Sequence, residues 1–443
     1  MKNRWTVIAT SLGFAVVQLD VSVVNVAIRP IGLSLGGGVS GLQWVVSAYT
    51  VAFAALILSA GAIGDRTGAK RLFVGGFALF TGASVACGLA PSLGILIAAR
   101  GVQGIGAAVL VPCSLTLLNH SCANDAERVR AVGLWAAGAS AALSAGPLVG
   151  GALVAALGWR AIFFINVPIG LAGILLTIRY AVDTPRSPGR GVDLWGQLLA
   201  ILCLLALAAA TIEAGAHGLG NHGVMLGYVV ALAAGLSFVA VEARGSRPML
   251  PLALFRSRTF SCATAIGFTV NIAFYGLIFV LSLFFQRAQQ LSPLQAGLAF
   301  APMTAAVVAA NLRARWLVTR IGTARLIGFA ALLMAVGAIT LIATGRETGY
   351  GAMVAQLVCI GAGLGLLVPV MTSALLSSVE LSRSGIASGA LNSARQTGSV
   401  VGVAVYGALI AHGNLVHGFH VALLISAVLA LTVLALSRGL GSR

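Results

Sequence analysis

The chain has 443 residues, 59% of them hydrophobic and 8% charged, with a mean hydropathy of +1.02. Soluble domains carry about 25% charged residues, so this composition cannot cover a water-soluble particle of that length and leaves no room for a soluble catalytic domain. The net charge of +17 does not point to nucleic acid, because the basic residues come in small groups between apolar stretches. That is the pattern of a polytopic membrane protein.

Taking about 20 apolar residues as one crossing, spans are predicted near 5–28, 43–63, 72–90, 94–119, 132–156, 161–181 and 194–214. The second half continues with 223–242, 259–286, 295–317, 324–344, 350–378, 386–411 and 417–437. The first span is followed by Arg29-Pro30 with no small-residue cleavage site, so it reads as a retained helix and not a signal peptide. Of the 27 lysines and arginines, only Arg29, Arg160, Arg287 and Arg346 fall on one side, and Arg100 and Arg395 lie within spans. The rest share the other side with both termini, which places those termini in the cytoplasm of a bacterial inner membrane. The six cysteines show no CxxC and no clustering, so neither disulfides nor a metal site is expected.

The chain also repeats itself. DRTGAKRL (65–72) matches TRIGTARL (319–326). Gly104, Gly106 and Pro112 of span 4 correspond to Gly361, Gly363 and Pro369 of span 12, and Gly133 and Gly146 of span 5 to Gly389 and Gly402 of span 13. The separation is nearly constant, and the repeat restarts near 259 although its first copy ends near 181. Two six-helix bundles, 1–182 and 259–443, are therefore expected on either side of two inserted helices within 183–258. Parallel repeats of this kind place a substrate site at their interface near the midplane.

GAIGDRTGAKRL (61–72) joins spans 2 and 3. Gly61 and Gly68 permit a tight turn, Asp65 can pair with a cation or cap a helix, and Arg66, Lys70 and Arg71 hold the loop in the cytoplasm. The spacing closely resembles the loop signature of the major facilitator superfamily. LDVSVVNVAIRP (19–30), LIAARGVQGIGAA (96–108), SAGPLVGG (144–151), WRAIFFINVPIG (159–170), VEARGSRPMLPLALFRSRTF (241–260) and GIASGALNSARQTGSVVG (385–402) resemble segments of its branch of fourteen-helix drug:proton antiporters. The second-half loop departs from the signature, with Thr319 where an acid would sit. Covering essentially the whole chain, the resemblance implies an all-α integral membrane protein of the major facilitator fold.

Asp20 lies well inside span 1, where an ionised carboxylate is costly unless it faces a cavity, meets a cation or takes up a proton. It is the candidate carrier of the coupled proton, with Arg100 of span 4 at similar depth as its partner. A purely structural ion pair, or an Arg100 that bonds backbone carbonyls, is the alternative. Gly146, Gly150 and Gly151 around Pro147 allow close helix approach and a kink, and the resemblance makes them a pivot. Gly61, Asp65, Arg66, Gly68 and Arg71 are the expected gating loop. Asn25, Gln43, Trp44, Tyr49, Gln103, Asn271, Gln286, Asn392, Arg395 and Gln396 are candidates to line a mostly apolar substrate cavity, although polar side chains at this depth also bond between helices. The histidines near outer loops, including His217, His222, His412, His417 and His420, read as solvated.

There is no nucleophile elbow, no GxxxxGK[ST] loop and no HExxH, so the chain is not read as an enzyme and no cofactor is expected; the energy is expected from an ion gradient or the substrate's own gradient, and the resemblance implies the proton gradient. The expected function is export of small amphipathic compounds, drugs or metabolites, in exchange for protons by alternating access. A lipid or lysolipid translocator and a proton-independent facilitator are the other readings. Spans 9–14 have no acid in their interiors, which argues against dicationic substrates and mildly for neutral, monovalent or anionic lipophiles. The expected partners are the substrate, protons and membrane lipids, and the expected state is a monomer.

Overall fold

The computed structural model describes residues 2–184, 193–245, 248–380, 384–411 and 414–440. Arg186, Arg190, Arg247, Arg383, His412 and Arg443, read above as loop or terminal residues, lie outside the described residues. The long elements are helices: α1 (Lys2–Leu35), α2 (Val39–Thr67), α3 (Ala69–Leu89), α4 (Leu93–Ser121), α5 (Asp125–Leu157), α6 (Ala161–Phe164), α7 (Asn166–Tyr180) and α8 (Leu194–His217). They continue with α9 (His222–Arg244), α10 (Arg258–Leu283), α11 (Pro293–Ala299), α12 (Ala301–Ile321), α13 (Thr323–Leu341), α14 (Gly351–Ser377), α15 (Ser384–Ala411) and α16 (Leu415–Ser437).

Among the described residues, 13 helices are long and apolar enough to cross a membrane; α6 with α7 and α11 with α12 each count as one crossing. The fourteenth predicted span is α15, 28 residues long. It is less apolar than the others because Asn392, Ser393, Arg395, Gln396 and Thr397 occupy its middle. The outward faces are apolar as well. Leu171, Leu175 and Ile178 of α7 and Leu232, Leu236 and Val239 of α9 are 49% to 67% exposed, at helical spacing. Such a surface is solvated by lipid tails, and helices satisfy their backbone groups there without water.

Several helix boundaries differ from the sequence expectation for identifiable reasons. Helix α1 runs through Pro30 and stops at the glycine run, where Gly36 and Gly37 have φ of 73° and 108°. Arg29 therefore belongs to the helix and not to a loop after it. The crossing after α5 is interrupted at Ile165, since Pro168 has no N–H to offer the Phe164 carbonyl, and the break leaves Asn166 as the first residue of α7. The expected loop between spans 2 and 3 is a single residue, Gly68, at φ 101°. Its counterpart Gly322, at φ 84°, joins α12 to α13 in the same way. Only glycine enters this backbone region without strain.

By Cα packing the chain divides into two compact units: Met1–Gly37, Trp44–Leu205 and Val230–Leu250 form one, and Gly38–Gln43, Ala206–Val229 and Pro251–Arg443 the other. Inside each unit, paired glycines make the same packing. A Cβ on Gly104 would press on the Tyr49 carbonyl and lie 2.9 Å from Ala52 Cβ, and one on Gly106 would lie 2.8 Å from Phe80 N. In the second unit, Gly361 abuts the Met303 carbonyl and Gly363 the Ala330 carbonyl and Met334. Tyr49 and Met303, and Phe80 and Met334, are separated by the same interval as the repeated loop motif, so the repeat extends to which residues touch. Small residues let helix backbones approach closely where lipid provides no hydrophobic force between helices.

Gly104→Ala and Gly361→Ala are expected to destabilise the fold by about 1–3 kcal/mol through overpacking. Gly101→Ala, where a Cβ meets nothing within 4 Å, is expected to be neutral or stabilising. Melting temperatures in detergent separate the two cases.

Candidate functional site

The first unit contains an acid far from any helix end. Asp20 of α1 is fully buried, and α4 brings Arg100, 1% exposed, against its Oδ2. Arg100 and Gln103 lie three residues apart and so share one face of α4. Arg100 Nη1 donates both to Asp20 and to Gln103 Oε1 at 2.7 Å, and Arg100 Nε donates to the Val45 carbonyl at 3.0 Å. The guanidinium lies 4.3 Å from the Tyr49 ring centroid and 5.9 Å from that of Phe163. One cation thus has a carboxylate, two neutral acceptors and two aromatic faces around it.

The other carboxylate oxygen is held as firmly. Asp20 Oδ1 accepts from Gln103 Nε2 at 2.8 Å and from Asn166 Nδ2 at 2.9 Å. The same two amides donate to Ser84 Oγ, at 2.8 Å and 3.3 Å, and Ser84 in turn donates to the Phe80 carbonyl at 2.8 Å. Gln103 is therefore fixed in orientation, its nitrogen toward the carboxylate and its oxygen toward the guanidinium. Asn166 Oδ1 is buried and has no partner among the described residues. On protonation Asp20 changes from acceptor only to donor, and a side chain already bonded to it carries an unused acceptor.

Helix α5 packs on the same stretch of α1. A Cβ on Gly146 would collide with Ser22, and one on Gly150 would lie 2.8 Å from Val23 Cγ2. Pro147 and Gly151 are buried, and Pro147 lies inside the unbroken α5. The Gly-Pro segment thus forms a close seam one turn from Asp20. In the loop motif, Asp65 ends up within the last turns of α2, half-buried, with Arg66 and Arg71 exposed and Ala69 N bonded to Thr184 Oγ1 at 2.9 Å, and a Cβ on Gly61 would lie 3.5 Å from Pro112 Cβ, an ordinary contact.

The residues expected in a substrate cavity are divided between the two units. Tyr49 and Gln103 are fully buried in the Asp20 cluster. Asn25 is buried and donates to the Val21 carbonyl of its own helix at 3.1 Å; Trp44 is half-buried. In the second unit, Gln43 Nε2 bonds the carbonyls of Val403 and Ala404 at 3.1 Å and 2.9 Å, and Gln286 Nε2 bonds Ser282 Oγ at 3.1 Å. Asn271 donates to the Gly267 carbonyl at 2.7 Å and Asn392 to the Ser388 carbonyl at 3.0 Å. Gln396 accepts from Ser399 at 3.3 Å. Sequence reasoning missed Ser84 and Asn166. The signal for Asn166 was its position just before the helix-breaking Val-Pro of WRAIFFINVPIG; Ser84 carried none.

Asp20→Asn leaves the Arg100 charge buried without its counter-ion, a loss of about 3–5 kcal/mol. Its melting temperature is expected to fall well below wild type. Asp20→Asn combined with Arg100→Gln is expected to recover most of the loss, which a thermal-shift measurement reads directly.

A family model of the Major Facilitator Superfamily matches residues 10–403 and 263–440. The chain is 37% identical over 402 residues to the methylenomycin A resistance protein of Streptomyces coelicolor, covering 91% of this chain and 84% of that protein. It is 37% identical over 407 residues to the multidrug resistance protein Stp of Mycobacterium tuberculosis (92% and 75% covered), and 30% identical over 408 residues to the tetracenomycin C resistance and export protein of Streptomyces glaucescens (92% and 76%). A crystal structure of a POT family transporter superposes with a TM-score of 0.75 at 13% identity, covering 98% of this chain and 96% of that one, a likeness of fold. The chain belongs to the major facilitator superfamily, among its drug-resistance and efflux proteins, and is a multi-pass membrane transporter.

Proposed function

We propose that the protein exports small amphipathic compounds, drugs or a native metabolite, from the cytoplasm in exchange for protons. The observation that carries this reading is the Asp20 cluster: a fully buried carboxylate, opposite a buried arginine, in the middle of an apolar crossing. A structural ion pair alone is a poor reason to keep two charges there, since apolar residues of similar volume serve stability as well or better. A carboxylate that alternately takes a proton and a cation is a reason. The direction of transport is supported by relatives named for antibiotic resistance and export.

The residues suggest how the coupling works. With Asp20 ionised, Arg100 ties α4 to α1, while Gln103 and Asn166 add ties from α4 and α7. A proton arriving from the outside neutralises Asp20, and the attraction that fixed Arg100 disappears. The carboxyl can then donate to Asn166 Oδ1, and Arg100 keeps Gln103, the Val45 carbonyl and the Tyr49 face. The charge tie between α1 and α4 is thus lost, and the buried Arg100 charge, now without its counter-ion, disfavours this arrangement and favours a shift of α1. The Gly146–Gly150 seam lets α1 shift along α5 during alternating access. Release of the proton to the cytoplasm resets the pair as substrate loads.

The test is proton movement in acid-loaded proteoliposomes with a pH-sensitive dye and a panel of cationic, neutral and anionic lipophiles. Substrate-triggered proton flux is expected for wild type and its loss for Asp20→Asn. Substrate flux that is unchanged in the mutant and indifferent to the proton gradient would make the protein a facilitator and Asp20 a structural residue.

A further inference from the structure

The second unit contains a cation with the opposite circumstances to Arg100. Arg395 lies in the middle of α15, and no helix from α10 to α16 contains an aspartate or glutamate. Its stem runs along α10, where a Cβ on Gly267 would lie 3.2 Å from Arg395 Cγ. Gly398 and Gly402, on the same face of α15, abut the carbonyls of Phe268 and Ile272, so the two helices are in backbone contact and hold the arginine at their seam. Arg395 Nε is buried and has no hydrogen-bond partner among the described residues. The α10 face it lies on carries Thr264, Gly267, Asn271 and Tyr275. Thr264 Oγ1 is also buried without a partner, and Tyr275 is an electrostatic neighbour of Arg395.

A guanidinium has five donors and no acceptor, and its charge cannot be discharged by losing a proton. Within a crossing it is costly, and such residues mark substrate or ion pathways. Arg100 shows what a satisfied arginine looks like in this protein. Arg395 has no acid within its own set of helices and keeps at least its buried Nε donor unused, beside an apolar surface. The missing partner has negative charge, paired acceptor oxygens and an apolar body. We propose that Arg395 anchors the carboxylate of the exported compound, so that the substrates are amphipathic organic monoanions. This rests on the exporter reading above and names its substrate class.

The proposal has an electrical consequence. A monoanion leaving the cell while one proton enters moves two charges in the direction favoured by an inside-negative potential. A neutral substrate moves one and a monovalent cation none.

Three probes with one fluorophore test it: dansylglycine (anion), its methyl ester (neutral) and dansylcadaverine (cation), titrated onto the full-length protein in phosphatidylcholine nanodiscs. Dansylglycine is expected to bind about tenfold to a hundredfold more tightly than the ester, the range of a charge-assisted hydrogen bond. Arg395→Gln should collapse that ratio toward one, and Arg395→Lys should keep part of it. Equal binding of anion and ester by wild type, preference for the cation, or a parallel loss of all three probes in Arg395→Gln would overturn the proposal. So would displacement of dansylglycine by phosphatidylglycerol at membrane levels, which would make a lipid headgroup the occupant. In proteoliposomes a valinomycin-imposed potential should accelerate dansylglycine transport more than ester transport. Anion-selective binding without proton flux for any probe would leave this assignment standing and remove the antiport reading instead.

Discussion

A carboxylate and a guanidinium facing each other with no access to water constrain everything near them. Each charge is costly at that depth without the other, so the groups around the pair are held to partners within the cluster. The first unit does this with few residues. Two amides each bond the carboxylate and one hydroxyl, and a backbone carbonyl takes the Arg100 Nε donor. Five helices, α1 to α4 and α7, contribute side chains to that cluster, which means that its geometry is only as good as their packing. The small residues of α4 and α5 have this as their structural purpose. Removing Cβ atoms at Gly104, Gly106, Gly146 and Gly150 lets α1, α2, α3 and α5 come near enough for short side chains to meet.

The two units use one packing scheme for different electrostatic ends. In each, paired glycines on the fourth crossing of the repeat abut equivalent positions, yet only the first has an acid to match its arginine. The second carries its arginine on a different helix, α15, with no acid in any crossing. Under the proposed exchange, similar scaffolds with one balanced and one unbalanced cation divide the labour, the first handling the proton and the second the cargo.

How much of this could be read from the sequence depends on the range of the interaction. The crossings were legible because apolar run length is a local property, and α15 remained legible despite its polar middle because the flanking runs are long. Asp20 and Arg100 stood out as charges in apolar stretches, and their pairing followed from similar depth. The assignment of Gln103 to the ion pair was not accessible, since whether a glutamine meets a cavity or a carboxylate depends on the rotation of α4 relative to α1. Ser84 is silent for the same reason, and Asn166 is marked only by the Val-Pro that follows it. The first predicted span ends near 28, before Arg29-Pro30, whereas Pro30 is accommodated inside α1 and the helix stops only at Gly36 and Gly37. The loop motif was correctly read as a turn, but its collapse to one residue depends on both flanking helices continuing to Thr67 and from Ala69.

That one-residue joint bears on how the protein is made. With nothing but Gly68 between α2 and α3, and nothing but Gly322 between α12 and α13, the second crossing of each pair begins as soon as the first is complete. There is no slack for the first helix to settle in the bilayer and wait. Such a pair leaves the ribosome and partitions into lipid as a single insertion event, with closure entropy near its minimum because almost no chain separates the two ends. Lengthening either joint would uncouple the two insertions, and the topology of everything downstream would then rest on each helix finding its orientation separately.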